Sequence, residues 1–288
     1  MTEDIITYIG ENRKKFSKRQ KMIADYMTEH YDKAAYMTAA QLSIAVGVSE
    51  STVVRFAAEL GFSGYQALQK HLQEVTRTQL TSMQRMEVAS RRIGSRDVLS
   101  GVLEADIEKI QKTLQEIDKE EFDRSVDAFL RAKHIYILGV RSSASLAMFA
   151  GFYFNLLFEN VKPIHSTSAA DIFEQILRAG EGDVVFGISF PRYSNSIIKA
   201  LEYAKKRGAT VIGLTDSINS PIVKETSHCL IARSDMDSFV DSLVAPFSVV
   251  NALIVALGMK KKQEVSNTFE QLERIWDEYG VYDKHGRE

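Results

Sequence analysis

Hydroxyl groups gather in four short segments of this chain, and their arrangement suggests a site for an anionic small molecule. The segments are Gly139-Val140-Arg141-Ser142-Ser143-Ala144-Ser145, Ser166-Thr167-Ser168, Ser189-Phe190-Pro191-Arg192-Tyr193-Ser194-Asn195 and Thr215-Asp216-Ser217. Serine and threonine hydroxyls, with the free N–H groups of a helix's first turn, donate hydrogen bonds to phosphate and sugar oxygens. Ser, Thr and Asp are equally the favoured helix N-caps, so any one segment is also explained as a cap. Four in succession favour a ligand.

A second concentration is cationic. Arg13, Lys14, Lys15, Lys18, Arg19 and Lys21 crowd one short stretch, Arg55 follows on a later helical segment, and Lys70 and His71 lie further on. Clustered cations neutralise nucleic-acid phosphates, although a charge run is also the ordinary solvated start of a helix. The chain as a whole is no polycation, with a net charge of −2. Any basic face is therefore local.

Other chemistries find little support. The one cysteine, Cys229, excludes an intramolecular disulfide framework and a Cys-based zinc site, and it fits a reducing, cytoplasmic setting. Neither G-x-G-x-x-G nor G-x-x-x-x-G-K-[ST] occurs, so a Rossmann dinucleotide site or a P-loop is not expected, and no cofactor is implied. Enzymatic proton transfer needs a tuned general base. His165, Glu174 and His228 are conceivable, but they form no coherent pair; His134 and His228 read as strand-edge residues. The apolar stretch from Ser242 to Met259, followed by Lys260-Lys261-Lys262, is interrupted by Pro246 and Asn251 and preceded by Asp235, Asp237 and Asp241. It reads as a buried helix in a core or dimer interface, not as a membrane span.

The elements that must position these groups follow from periodicity. At 288 residues the chain suits two domains, and scarce Gly (16) and Pro (4) favour helices over turn-dense β structure. Residues 1–78 read as short helices. Ser17 with Gln20, and Thr38 with Gln41, are capping-box patterns. Gly47 ends one helix, Ser49 is placed to cap the next, and Gly61 ends that one. A helix, the tight turn Gly47-Val48-Ser49 and a second helix around Leu42, Val46, Val48, Val53 and Phe56 make a helix-turn-helix pattern; an ordinary helical hairpin shares it. Val53, Val54 and Phe56 are assigned to the core. Residues 79–120 read as a polar helical connector, broken at Gly94-Ser95 beside Arg91, Arg92 and Arg96, with Asp97 as the next cap.

From residue 121 the pattern alternates. Strands are expected at His134–Leu138, Val161–His165, Val184–Ser189, Thr210–Leu214 and Cys229–Ala232. Helices are expected at Ser145–Phe158, Asp171–Ala179, Ser194–Arg207, Ser217–Thr226 and Ser238–Leu257. Such alternation predicts a five-stranded, mostly parallel, doubly wound α/β sheet over residues 121–265, with a helical tail over 266–288. In such sheets ligands sit beyond the carboxyl ends of the strands, where the hydroxyl-rich segments fall.

These residues resemble a known family. Ala45-Val46-Gly47-Val48-Ser49-Glu50-Ser51-Thr52-Val53-Val54-Arg55-Phe56, then Leu60-Gly61-Phe62-Ser63-Gly64-Tyr65, are similar to the DNA-binding domain of RpiR-type (MurR/RpiR) bacterial regulators. Leu138-Gly139-x-x-Ser142-Ser143, Ile188-Ser189 and Gly213-Leu214-Thr215-Asp216-Ser217 resemble a SIS (sugar isomerase) domain of flavodoxin-like fold. The resemblance implies a non-enzymatic transcription regulator that senses a phosphorylated sugar or amino sugar; a SIS-fold sugar-phosphate isomerase or lyase is the alternative. It implies ligand contacts at Ser142, Ser143, Ser189 and Ser194. The family's third loop commonly reads S-x-S-G-x-[ST], so Pro191 replaces a hydroxyl donor and Arg192 a glycine. Arg192 then either supplies a charged fork to the ligand, or blocks the pocket or pairs with an acidic neighbour.

On the nucleic-acid side, Glu50, Ser51, Thr52 and Arg55 are placed to reach base edges of double-stranded operator DNA, with Ser49 as the cap. Arg55 suits either a guanine or a phosphate. Ser17, Lys18 and Arg19 suit backbone phosphates. A domain this small binds weakly alone, so a homodimer or higher homo-oligomer on a pseudo-palindromic site is expected.

Overall fold

The computed structural model describes residues 5–79, 97–164, 168–234 and 240–282, together with 83, 86 and 166. Contacts divide it into a first unit that runs to Val102 and also takes in Val240 and Asp241, and a second made of the other described residues from Leu103 onward. The breaks expected at Gly94-Ser95, with Arg91, Arg92 and Arg96, lie outside the described residues.

The first unit is helical: α1 (Ile5–Glu11), a 3-10 turn (Arg13–Lys15), α2 (Lys18–Glu29), α3 (Tyr31–Ala34), α4 (Ala39–Val46), α5 (Glu50–Glu59) and α6 (Tyr65–Gln79). Both capping boxes form: Ser17 with Gln20 opens α2, and Thr38 with Gln41 opens α4, each pair exchanging side-chain and backbone bonds. Gly47 closes α4 at φ 76°, a left-handed conformation that glycine adopts without a Cβ clash, and the N–H groups of Gly47 and Val48 return to the Ser43 carbonyl at 2.9 and 3.0 Å. This tight return sets α5 against α4 around Leu42, Val53, Phe56 and Ala57, with Val46 and Val48 half-buried beside them. Phe16 meets Phe56 edge-to-face at 5.1 Å. Tyr65 locks α6 to the loop before α4 by donating to the Met37 carbonyl at 2.9 Å, and its burial pushes the phenol well above its ordinary pKa.

α7 (Val98–Glu116) is capped by Asp97, which accepts from the Ser100 N–H at 2.9 Å. The second unit continues with α8 (Lys119–Arg131), β1 (Ile135–Gly139), α9 (Ser143–Leu157), β2 (Val161–Ile164), α10 (Ala169–Ile176), β3 (Val184–Ile188), α11 (Asn195–Lys206), β4 (Thr210–Thr215), β5 (His228–Ile231), α12 (Val244–Lys260) and α13 (Lys262–Tyr279). The five strands are all parallel in the order β2-β1-β3-β4-β5. Side chains alternate between two cores, as a period of two requires. Ile135, Ile137, Val184, Phe186 and Ile188 pack under α8, α9 and α12. Tyr136, Leu138, Val185 and Val211 pack under α10 and α11.

Two helix expectations need correction. Ser217–Thr226 holds only a 3-10 turn at Val223–Glu225. Pro221 disfavours helical geometry at Ser220, and the segment instead turns through Ser220 N–H to the Ser217 carbonyl at 3.0 Å. The helix expected from Ser238, α12, begins at Val244, because Pro246 is tolerated only in a first turn. Its inner face, Ala245, Pro246, Val249, Val250, Leu253 and Leu257, is buried in the core. Among the described residues no single helix is long and apolar enough to cross a membrane.

Candidate DNA-contacting helix and sheet-edge ligand site

α5 is two-faced. Val53, Phe56 and Ala57 point into the core, while Glu50, Ser51, Val54, Arg55 and Ala58 are exposed. Val54 is 42% exposed, which corrects its assignment to the core: it lies one residue past the buried Val53, and 100° of helix rotation carries it to the outer face. It is the residue on this surface that the sequence reading missed, and the signal was its offset from the Val53–Phe56–Ala57 stripe. Ser49 occupies the N-cap position in extended conformation, but its hydroxyl does not cap the backbone. It meets the hydroxyls of Ser51 and Thr52 at 3.0 and 2.8 Å, a short polar cluster at the start of α5. Arg55 lies back along the helix, its Nε donating to the Ser51 carbonyl at 3.3 Å.

Ser17, with its capping box, and the exposed Lys18 and Arg19 form the first turn of α2. The Gln20 amide donates to the Glu59 carboxylate at 3.1 Å, which ties that turn to the far end of α5. The Ser49–Thr52 cluster sits at the near end, roughly 13 Å away along the helix at 1.5 Å per residue. The basic cluster is partly spent internally. Arg13 pairs with Asp25, holding that carboxyl below the usual range, and Lys15 donates to Asn12 at 2.7 Å.

The second site is at the carboxyl edge of the sheet. β1 pairs with β2 on one side and β3 on the other, so the chain reverses its winding between β1 and β3, the switch point beside which ligands bind in sheets of this kind. Ser142 and Ser143 leave β1; Ser189, Arg192 and Ser194 leave β3. The topology thus brings all five sequence-predicted ligand residues to the ends of two neighbouring strands. Gly139 makes this possible on the β1 side: a Cβ there would lie 2.5 Å from the Ser143 carbonyl oxygen and 3.1 Å from the Ala147 side chain. α9 therefore starts almost on top of the strand end. Ser142 takes the N-cap position of α9 and is exposed, whereas Ser143 is buried. On the β3 side, Ser189 is buried, and its N–H donates to the Leu214 carbonyl at 3.1 Å. Ser194 takes the N-cap position of α11, its hydroxyl 2.7 Å from that of Ser196.

The third loop is fixed from β4. Tyr193 donates its hydroxyl to Asp216 at 2.8 Å, and Thr215 donates to the same carboxylate at 3.2 Å. Pro191 is buried and Arg192 is exposed. Arg192 has φ 65° and Arg141 has φ 56°, and among the described residues these are the two non-glycine positions with positive φ. Each such L-residue costs about 1–2 kcal/mol against an ordinary backbone. Arg141 is the second residue the sequence reading did not assign; nothing in a residue string announces backbone strain.

Histidine chemistry is directed elsewhere. His134 Nδ1 lies 2.8 Å from Asp183 and His228 Nδ1 lies 3.1 Å from Glu121. His134 and Asp183 precede β1 and β3, and His228 begins β5, so both pairs stand at the amino ends of strands, opposite the hydroxyl-rich edge. Glu174 is exposed, and His165 and Thr167 lie outside the described residues. Among the described residues no group of His, Cys, Asp or Glu has the arrangement of a metal site. Burial pushes the Cys229 thiol up to about 11.

Comparison with known proteins adds to this geometry. The helix-turn-helix domain model of the rpiR family matches residues 3–79, and the SIS domain model matches residues 128–256. An uncharacterised HTH-type transcriptional regulator of Caldanaerobacter subterraneus subsp. tengcongensis is 26% identical over 283 residues, covering 94% of this chain and 96% of its own. The HTH-type transcriptional regulator HexR of Pseudomonas aeruginosa is 26% identical over 271 residues, 90% of each chain. Among solved structures, the sugar isomerase domain of the RpiR transcription factor from Sphaerobacter thermophilus superposes with a TM-score of 0.59 at 26% identity, covering 62% of this chain and 98% of that one. The Vibrio vulnificus NanR protein, complexed with ManNAc-6P, gives a TM-score of 0.59 at 20% identity, with 96% and 99% covered, and so shares the fold. With both domains matched in this order, and relatives matched over nearly their whole length, the chain belongs to the rpiR family of helix-turn-helix regulators with a carboxyl-terminal SIS domain.

Proposed function

We propose that this protein is a cytoplasmic, homodimeric transcription regulator whose SIS domain senses a phosphorylated sugar or amino sugar and thereby sets its affinity for operator DNA. The observation that carries the reading is the convergence of Ser142, Ser143, Ser189, Arg192 and Ser194 on the β1–β3 switch point, in a chain whose α5 turns Glu50, Ser51, Val54 and Arg55 outward. A phosphomonoester carries a charge of about −1.5 to −2 at pH 7 and three acceptor oxygens, which hydroxyls, helix N–H groups and one guanidinium complement. That NanR is described in complex with ManNAc-6P supports the ligand class. In this reading Ser51, Thr52, Val54 and Arg55 meet base edges in the major groove, while Ser17, Lys18 and Arg19 hold phosphates. The isomerase alternative is less well supported, because the described histidine–carboxylate pairs stand at the opposite edge of the sheet.

Residues 79–120 would connect sensor and DNA-binding domain. A coupling of about 1–3 kcal/mol between the two sites corresponds to a change in operator affinity of about 5- to 150-fold. A panel of sugar phosphates screened by thermal shift, with and without a duplex selected in vitro for binding, tests this directly. At least one member should raise the melting temperature and change duplex affinity within that range. Ser142→Ala with Ser143→Ala should abolish the shift, and Arg192→Ala should weaken a phosphorylated sugar far more than its neutral parent. If no sugar phosphate binds, or if binding leaves DNA affinity unmoved, the proposal fails.

A further inference from the structure

Two arginines stand at the same switch point in a conformation that arginine avoids. Arg141 follows β1 by two residues and Arg192 follows β3 by four, and the two strands are hydrogen-bonded neighbours, Gly139 opposite Ile188. Adjacent strands lie about 4.8 Å apart, so the two loops leave the sheet within reach of one another's long side chains. Glycine would meet a φ near +60° without strain. An exposed arginine at both places, flanking the hydroxyls of Ser142, Ser143 and Ser189, keeps a guanidinium where the backbone opposes it. The loop that carries Arg192 is also braced: Tyr193, its neighbour, donates to Asp216 at the end of β4 at 2.8 Å.

We infer that Arg141 and Arg192 act as a two-guanidinium clamp on a single phosphate group, with Arg141 an effector-binding residue in its own right. The inference rests on the phosphosugar reading above and deepens it. Two planar forks from adjacent strands can each donate twice to one tetrahedral dianion. They replace the amide-and-hydroxyl cradle that Pro191 and Arg192 interrupt. Charge then dominates recognition of the phosphate, and affinity falls as salt rises.

The test uses the full-length protein and inorganic phosphate as probe, with binding followed by thermal shift and by phosphorus NMR at two sodium chloride concentrations. Wild type should bind phosphate saturably and more weakly at the higher salt. Arg141→Gly and Arg192→Gly should each weaken phosphate at least about tenfold, the loss expected for charge-assisted hydrogen bonds. Because glycine suits these positive φ angles, the unliganded variants should melt like wild type, which separates lost binding from lost folding. Undiminished phosphate binding by Arg141→Gly, or no saturable binding by wild type, overturns the clamp. If that happens while a sugar phosphate still binds through Ser142, Ser143 and Arg192, the sensor reading stands without the clamp; if no sugar phosphate binds either, both fall.

Discussion

Replacing Gly139 by alanine and replacing Gly101 by alanine are the same chemical change, one added methyl group, and they should act in opposite directions. At Gly139 the new Cβ would lie 2.5 Å from the Ser143 carbonyl oxygen and 3.1 Å from the Ala147 Cβ. Real contacts of this kind do not fall below 3.0 Å, and the obstruction is backbone, which cannot rotate aside. The start of α9 must therefore retreat by at least about half an ångström, the tolerance within which a binding constellation has to be held. Forcing a methyl into such a place costs about 1–3 kcal/mol. For a unit of this size each kcal/mol moves the midpoint by about 2–4 °C, so a fall of about 2–12 °C is expected. At Gly101, inside α7, an added Cβ meets nothing within 4 Å. Alanine there should stabilise by about 0.5–1 kcal/mol, through helix propensity and a less mobile unfolded chain. Differential scanning calorimetry of both variants, with and without the best-binding sugar phosphate, decides the matter. Gly139→Ala should lose melting temperature and most of its ligand shift together. A Gly139→Ala protein that melts and binds like wild type would refute the claim that α9 is wedged against the end of β1.

Arg55→Ala should lower duplex affinity, by about 1–3 kcal/mol if a bidentate base contact is lost, while leaving sugar-phosphate binding intact; gel-shift titration reads the first and thermal shift the second. Ser17→Ala removes one half of the α2 capping box and should destabilise the helical unit by about 1 kcal/mol, measured by chemical denaturation followed by circular dichroism. Cys229, with its thiol pushed up to about 11 by burial, ionises as pH rises through that value; at pH 8 its thiolate is rare, so a disulfide reagent should label it far more slowly than a free cysteine, and rapid labelling would contradict its burial. A fragment of residues 1–79 should be helical and melt cooperatively, because its core from Ile5 to Leu72 is closed within that span.

Local chemistry made much of this architecture readable. Ser17 with Gln20 and Thr38 with Gln41 announce helix starts because one side chain and one backbone N–H, three residues apart, satisfy each other. The strands are legible from apolar runs with turn residues between them, but their order is not, because it is set by which way each crossover packs and carries no mark in the residue string. Val54 was legible only from its one-residue offset from the Val53–Phe56–Ala57 stripe, a signal that its apolar character overrode. The missing helix at Ser217–Thr226 is a competition lost locally, where Pro221 and serine turn bonds outweigh an apolar pattern. Arg141 stayed hidden because side-chain identity reports charge but not the sign of a backbone torsion.

All-parallel pairing also has a consequence in time. Consecutive parallel strands can be joined only through crossovers, and β1, the first strand synthesised, lies inside the sheet between β2 and β3, the latter reached only after β2 has been made. The sheet cannot begin to close until segments well downstream have left the ribosome, whereas the helical unit needs only contacts among its first seventy or so residues. The polypeptide therefore owns a finished reading head before it owns a sensor, and for that interval it is a nascent chain with no means of being told what the cell contains.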